Sequence, residues 1–151
     1  MHTSFVIAAA TVTLSACAPG RPAARPDRVD SPVALTILDQ REVRWQQEEW
    51  GAMTAVLEGK EPFDAPKTFT FLVKFPPNFR IPLHSHLTTE RFVVASGAVY
   101  FGHGDREDDA AARKVGQGAV VIVPAGLKHY GFTTDSEAIL VVHGVGPHNA
   151  P

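Results

Sequence analysis

The chain has 151 residues, 44% of them hydrophobic and 20% charged, and a net charge of -2. That length and composition suit one domain with an adequate core, not two. With no basic stripe and no RNA-binding aromatic motif, they exclude a nucleic-acid surface.

The N-terminus comes first in chain order. Residues 1–16 contain no Lys, Arg, Asp or Glu, and Phe5 to Leu14 make a short, mostly apolar run. Leu14-Ser15-Ala16-Cys17 follows, and Cys17 is the single cysteine, so no internal disulfide forms. The run is too short for an ordinary membrane span and sits where a signal h-region belongs. This segment resembles a bacterial lipoprotein signal with its lipobox. The resemblance implies removal of residues 1–16, lipid attachment at Cys17 and export to the cell envelope, facing the periplasm in a Gram-negative cell. Without lipidation the product is secreted or periplasmic. Ala18, not Asp, follows the cysteine, which by resemblance to sorted lipoproteins favours the outer membrane. The n-region departs from the pattern, with His2 and no Lys or Arg. Residues 17–32 are then a Cys-anchored linker rich in Pro, Ala and Arg, extended and solvated. Membrane contact is expected only through this anchor.

The folded domain is expected over residues 33–148. Gly and Pro number 12 each, which fits many short strands better than long helices. Val33 to Leu38 reads as a first strand. Val43 to Trp50 is ambiguous between a turn and a short helix, and Trp45 and Trp50 are expected over one end of the domain, not as substrate residues. Gly51 to Leu57 reads as a strand. Thr68 to Phe75 alternates, with Phe69, Phe71, Val73 and Phe75 on one face. Further strands follow at Ile81–His86, Glu90–Ala95, Ala98–His103, Ala119–Val123, His129–Thr133 and Glu137–His143. Turn signals separate them, among them Pro76-Pro77-Asn78, Gly97 and Pro124-Ala125-Gly126. Residues 104–113 read as an exposed loop. Short strands with frequent turns imply an antiparallel sandwich or barrel.

Chemistry concentrates in four residues. His84 and His86 are two apart on a predicted strand, so their imidazoles share a face. Glu90 starts the next extended segment and can swing back to the same point. His129 follows the 124–126 turn on another strand. Three imidazoles and one carboxylate suit one divalent transition metal: Fe(II), Mn(II), Ni(II), Cu(II) or Zn(II). Ligation without sulfur leaves positions open for water or substrate.

The spacing resembles the cupin family. Its first motif reads G-x5-H-x-H-x3,4-E-x6-G; here His84-Ser85-His86 is followed by Glu90 and Gly97 at matching distances. Its second motif reads G-x5-P-x-G-x2-H-x3-N; here Gly118, Pro124, Gly126 and His129 match. Asn78 stands where the opening Gly is expected, and Thr133 where the closing Asn is expected. Neither position is a metal ligand in cupins, so the departures touch turn geometry only. The resemblance implies an all-β double-stranded β-helix, a jelly-roll barrel of mostly antiparallel strands. It also implies that His84, His86, Glu90 and His129 are the metal ligands, and it makes a homodimer plausible.

Other residues carry less. His143 is a candidate catalytic residue, as a proton shuttle or support, against an ordinary strand-end histidine. Glu90 doubles as a candidate catalytic base. His103 and His148 are expected to be exposed, and Arg91 and Lys128 to point outward. Tyr130 should face away from the metal, and one of Tyr100 and Phe101 should face inward. Candidate liners of the interior are Ile81, Leu83, Phe92, Val94, Val99, Phe101, Ile122 and Phe132. With no obvious interior Arg, a small, largely apolar, metal-chelating substrate fits best. With Fe(II), the favoured metal, the site resembles small cupin dioxygenases acting on β-diketones, flavonols or hydroxylated aromatic ketones. A non-catalytic metal- or ligand-binding module, related to the cupin half of zinc anti-sigma factors, is a second expectation. A metal-dependent isomerase or lyase is a third.

Overall fold

The computed structural model describes residues 37–38 and 42–148. The expected signal segment 1–16, the lipid-attachment residue Cys17 and the linker to residue 32 lie outside the described residues. So does most of the expected first strand, and Ile37 and Leu38 themselves are not in a strand.

Ten strands and no helix make up the described residues. They are β1 (Gln46–Gln47), β2 (Met53–Glu58), β3 (Thr68–Phe75), β4 (Arg80–His84), β5 (Glu90–Ser96), β6 (Ala98–His103), β7 (Arg113–Gly116), β8 (Val120–Val123), β9 (His129–Phe132) and β10 (Ala138–Val145). One sheet runs β1-β2-β3-β10-β5-β8 and the other β4-β9-β6-β7. Every pairing is antiparallel. This is the antiparallel all-β architecture that the strand and turn pattern predicts, in the jelly-roll form that the cupin resemblance implies. The ambiguous stretch before Gly51 contains only the two-residue β1, and β7 is a strand at and just beyond the end of the expected loop 104–113.

Alternation explains which face each strand buries. In β3, Phe69, Phe71, Val73 and Phe75 are buried, and the residues between them are more open. β10 pairs along the full length of β3, from Ala138 opposite Phe75 to Val145 opposite Thr68. Its Leu140 and Val142 join the β3 aromatics, Phe92, Val94 and Val99 in one core. At about 25 cal/mol per Å² of apolar surface, such side chains contribute roughly 1.5–3 kcal/mol each. Gly97 turns β5 into β6 at φ 72°, and a Cβ there would run into the Glu137 carbonyl. Asn78, in the turn after β3, also adopts a left-handed conformation, φ 55°. Asn tolerates that region better than most residues, which is why it can stand where the cupin pattern has Gly.

Candidate metal centre

His84 ends β4 and lies directly opposite His129, which opens β9. Strand pairing therefore brings together two imidazoles that are 45 positions apart in the chain. His86 lies just beyond β4, and its carbonyl accepts a hydrogen bond from Gly126 N at 2.8 Å. That bond ties the 124–126 turn to the histidine segment. Glu90 opens β5 and is fully buried.

The three imidazoles converge. Ring centroids are 4.3 Å apart for His84 and His129, 4.8 Å for His84 and His86, and 5.2 Å for His86 and His129. His84 Nδ1 donates to the Pro82 carbonyl at 2.7 Å, and His129 Nδ1 donates to the Leu127 carbonyl at 3.0 Å. A carbonyl only accepts, so in each neutral ring the proton sits on Nδ1 and the lone pair on Nε2. His84 Nε2 then faces His86 Nε2 at 3.1 Å. Two nitrogens bound to one ion at 2.0–2.1 Å lie about 2.9–3.4 Å apart across octahedral to tetrahedral angles. The observed spacing falls within that range. Burial, reinforced by the neighbouring imidazoles of His84, His148 and His129, pushes the His86 pKa down to about 3. Burial also lowers that of His129, against a smaller opposing effect of the Leu127 carbonyl. Both rings are therefore neutral at physiological pH and offer lone pairs.

Glu90 is placed differently from its neighbours. Metal-ligating atoms within 4.8 Å of one another form two groups that share His86: His84, His86 and His129, and His86, Glu90 and His148. His148 Nδ1 makes a short hydrogen bond to Glu90 Oε1, while His86 Nδ1 lies 3.5 Å from the same oxygen. Glu90 Oε2 and His86 Nδ1 are buried and have no hydrogen-bond partner among the described residues. An orphaned buried carboxylate oxygen is costly unless a cation satisfies it. The donor set thus fits a metal, with Nε2 of His84, His86 and His129 as three ligands and Glu90 as the carboxylate at hand.

Two expectations are corrected here. His148 is not simply exposed: its ring stacks on His86 at 5.1 Å and meets Phe63, Phe69 and Phe71 edge-on. Sequence spacing gives no warning of this, because His148 lies past the last strand. His143 does not reach the cluster. Leu140 and Val142 of β10 turn inward, so His143 turns outward, where its Nδ1 lies 3.0 Å from Thr70 Oγ1.

The cluster forms part of the wall of a cavity of about 370 Å³ between the sheets. Phe71, Val73, Phe75, Phe92, Leu140 and Val142 line it from one sheet, and Ile81 and Phe101 from the other. Of the expected liners, Ile81, Phe92 and Phe101 are found there. Val94 and Val99 are packed into the core, and Ile122 is exposed. Trp50 also lines the cavity, although half exposed, and packs against Phe75 and Phe79. Tyr100 stacks on Phe132 outside the cavity, and the Tyr130 hydroxyl turns to the Asp108 backbone. Among the described residues, apart from Glu90 and the imidazoles, no ionisable side chain other than Tyr130 lines the cavity.

A jelly roll with a histidine-rich cluster between its sheets defines a class of β-barrel whose site could hold a metal ion. Residues 71–145 match the family model described as "Cupin domain", and the chain carries a cupin domain. Solved structures agree on the fold. The polyketide cyclase RemF from Streptomyces resistomycificus is 17% identical, with a TM-score of 0.62 over 78% of this chain and 82% of that one. KdgF from Halomonas sp. is 16% identical, with a TM-score of 0.58 over 75% of this chain and 96% of that one. The DMSP lyase DddQ from Ruegeria pomeroyi is 21% identical, with a TM-score of 0.56 over 71% of this chain; this chain spans 58% of that lyase. No curated protein matches the chain.

Proposed function

We propose that this cupin binds one divalent transition metal and acts as an enzyme on a small, largely apolar substrate that chelates the metal through oxygen. One observation carries the reading: the imidazole cluster opens onto a cavity whose remaining lining is almost wholly aromatic and aliphatic. A cavity of this size suits a compact ligand, and among the described residues no Lys or Arg lines it to hold a free carboxylate. β-Diketones, enediols and hydroxylated aromatic ketones meet both conditions.

His84, His86, His129 and Glu90 would hold the ion, Fe(II) for preference, with Zn, Mn, Ni or Cu as other candidates. When bound, it supplies Lewis-acid activation of a chelated oxygen and exchangeable positions for ligand or O2. The chain's own residues do the rest. Phe71, Phe75, Phe92 and Phe101 exclude water and pack the substrate's apolar body. His84 and His129 are held in the ligating tautomer by the carbonyls of Pro82 and Leu127. Glu90, beside the cluster, is the candidate acceptor for a substrate proton. If Cys17 is lipidated, this chemistry takes place in the cell envelope.

Oxidative cleavage by a dioxygenase is the activity we favour. The similar structures named as a cyclase and a lyase support a second reading, proton-transfer chemistry without O2. Elemental analysis of protein purified anaerobically from its own host identifies the metal. Steady O2 uptake by Fe(II)-loaded protein with a panel of β-diketones supports the oxygenase, and no uptake sinks it for that panel. Substrate conversion without O2 selects the second reading. Tightly held Zn with neither activity selects a sensing module.

A further inference from the structure

We infer that His148 is a positioning residue of the metal centre: by donating from Nδ1 to Glu90 Oε1, it fixes the Glu90 carboxylate beside His86 and leaves the other oxygen free for a cation. The inference rests on the metal reading above and adds a residue that lies outside both cupin motifs.

Backbone contacts hold His148 in place. Gly146 N donates to the Lys67 carbonyl at 2.9 Å, and His148 N donates to the Phe63 carbonyl at 3.0 Å. The segment after β10 is thereby laid across the 63–67 loop. Thr88 Oγ1 reaches the Pro147 carbonyl at 3.4 Å, from the stretch that joins His86 to Glu90. Phe63 accepts this arrangement at a cost, since it adopts φ 55°, a conformation rare for a residue with its bulk. Its ring stacks on Phe69 and Phe71 and completes the aromatic box around the His148 ring.

The chemistry follows from counting lone pairs. The His148 bond occupies Glu90 Oε1, and His86 Nδ1 lies near that same oxygen. Oε2 is left buried, without a partner. A carboxylate with one oxygen held by a donor keeps the other as its free ligating atom. Without His148, Glu90 Oε1 would keep only the 3.5 Å approach of His86 Nδ1, and the buried carboxylate would lose the donor that fixes it. Groups that hold a metal ligand in this way typically change metal affinity by about 10–100-fold.

Two variants separate the hydrogen bond from the packing. H148F keeps an aromatic ring in the box and removes the donor. H148N removes the ring but places an amide N–H near the position of Nδ1. Purified full-length chain is titrated with Co(II) and Cu(II) alone, and the Co(II) visible spectrum and Cu(II) EPR are recorded for each variant. H148F should bind about 10–100-fold more weakly with an altered spectrum, and H148N should recover most of both. Unchanged affinity and spectrum in H148F, beside a wild-type chain that binds metal, overturn the role of His148 alone. So does a pulsed-EPR count of four imidazoles on Cu(II) that drops to three in H148F, because His148 is then itself a ligand. A wild-type chain that takes up neither ion overturns the metal reading as well.

Discussion

The Thr133 hydroxyl closes the turn that Asn78 bends. It donates to the Pro76 carbonyl at 2.6 Å and accepts from Phe79 N at 3.0 Å, so its two bonds bracket Asn78 in the chain. Asn78 N in turn donates to the Thr134 carbonyl. The two positions that depart from the cupin motifs thus meet at one corner of the barrel. Their departures belong to a single local solution. T133V keeps the shape and removes both hydroxyl bonds, leaving a backbone donor and an acceptor without it. The expected loss is about 1–3 kcal/mol, read as a lower urea midpoint at constant slope. An unchanged midpoint would show that water replaces the hydroxyl. T133N, which restores the family's residue, should recover part of the loss.

Position 102 allows no side chain. Gly102 on β6 pairs with Tyr130 on β9, and a Cβ at 102 would overlap the Tyr130 ring and hydroxyl. That ring is almost fully buried, and its hydroxyl is bound to the Asp108 backbone. It cannot swing aside cheaply. G102A should therefore destabilise by about 1–3 kcal/mol or more, the usual cost of overpacking. Because Tyr130 follows His129 directly, metal affinity should fall along with stability. Thermal unfolding and Co(II) titration of the same variant check the pair, and a wild-type melting temperature would refute the packing argument.

Metal uptake should be stoichiometric and depend on the imidazoles. One ion per chain is expected, because the two ligand groups share His86. H84A and H129A each remove a nitrogen already fixed in its ligating tautomer. Each should lower affinity by well over tenfold, while far-UV circular dichroism stays that of a β-barrel. H143A should leave metal content unchanged, since that ring bonds Thr70 on the outer face of β10. Elemental analysis of the four proteins is sufficient. Loss of metal in H143A would mean that the outward placement of that ring is wrong.

Much of this was legible in the sequence where a short-range rule applies. The alternation of Phe69, Phe71, Val73 and Phe75 defined β3 to the residue. The spacing of His84, His86 and His129 supplied three converging imidazoles, because strand pairing preserves what the motif encodes. Parity also held the answer for His143: a residue next to the inward-facing Val142 must face outward, and its chemistry drew attention away from that. His148 obeyed no local rule. Its place is set by backbone contacts to Phe63 and Lys67, some 80 residues earlier, and no period or turn signal reports such a pairing. Trp50 was missed similarly, since it lines the cavity from a turn and not from a strand.

The cavity and the metal can be tested separately. Val142 lies on the inner face of β10, lines the cavity and is itself buried, yet it provides no ligand. V142F pushes a ring into a space of about 370 Å³. Most of that ring should enter the cavity without displacing core side chains, so the stability cost should stay within the 1–3 kcal/mol typical of an added bulk. The three imidazoles sit on β4, on β9 and just beyond β4, away from the altered strand, and Glu90 lies two residues from Phe92, the partner of Val142, so the imidazoles should still take up the ion. Binding of a compact apolar chelator such as a β-diketone should fall at least tenfold, as seen in the perturbation of the Co(II) spectrum on titration. If V142F binds the chelator as the wild type does, the ligand reaches the metal by another route, and the apolar cavity is not the substrate site.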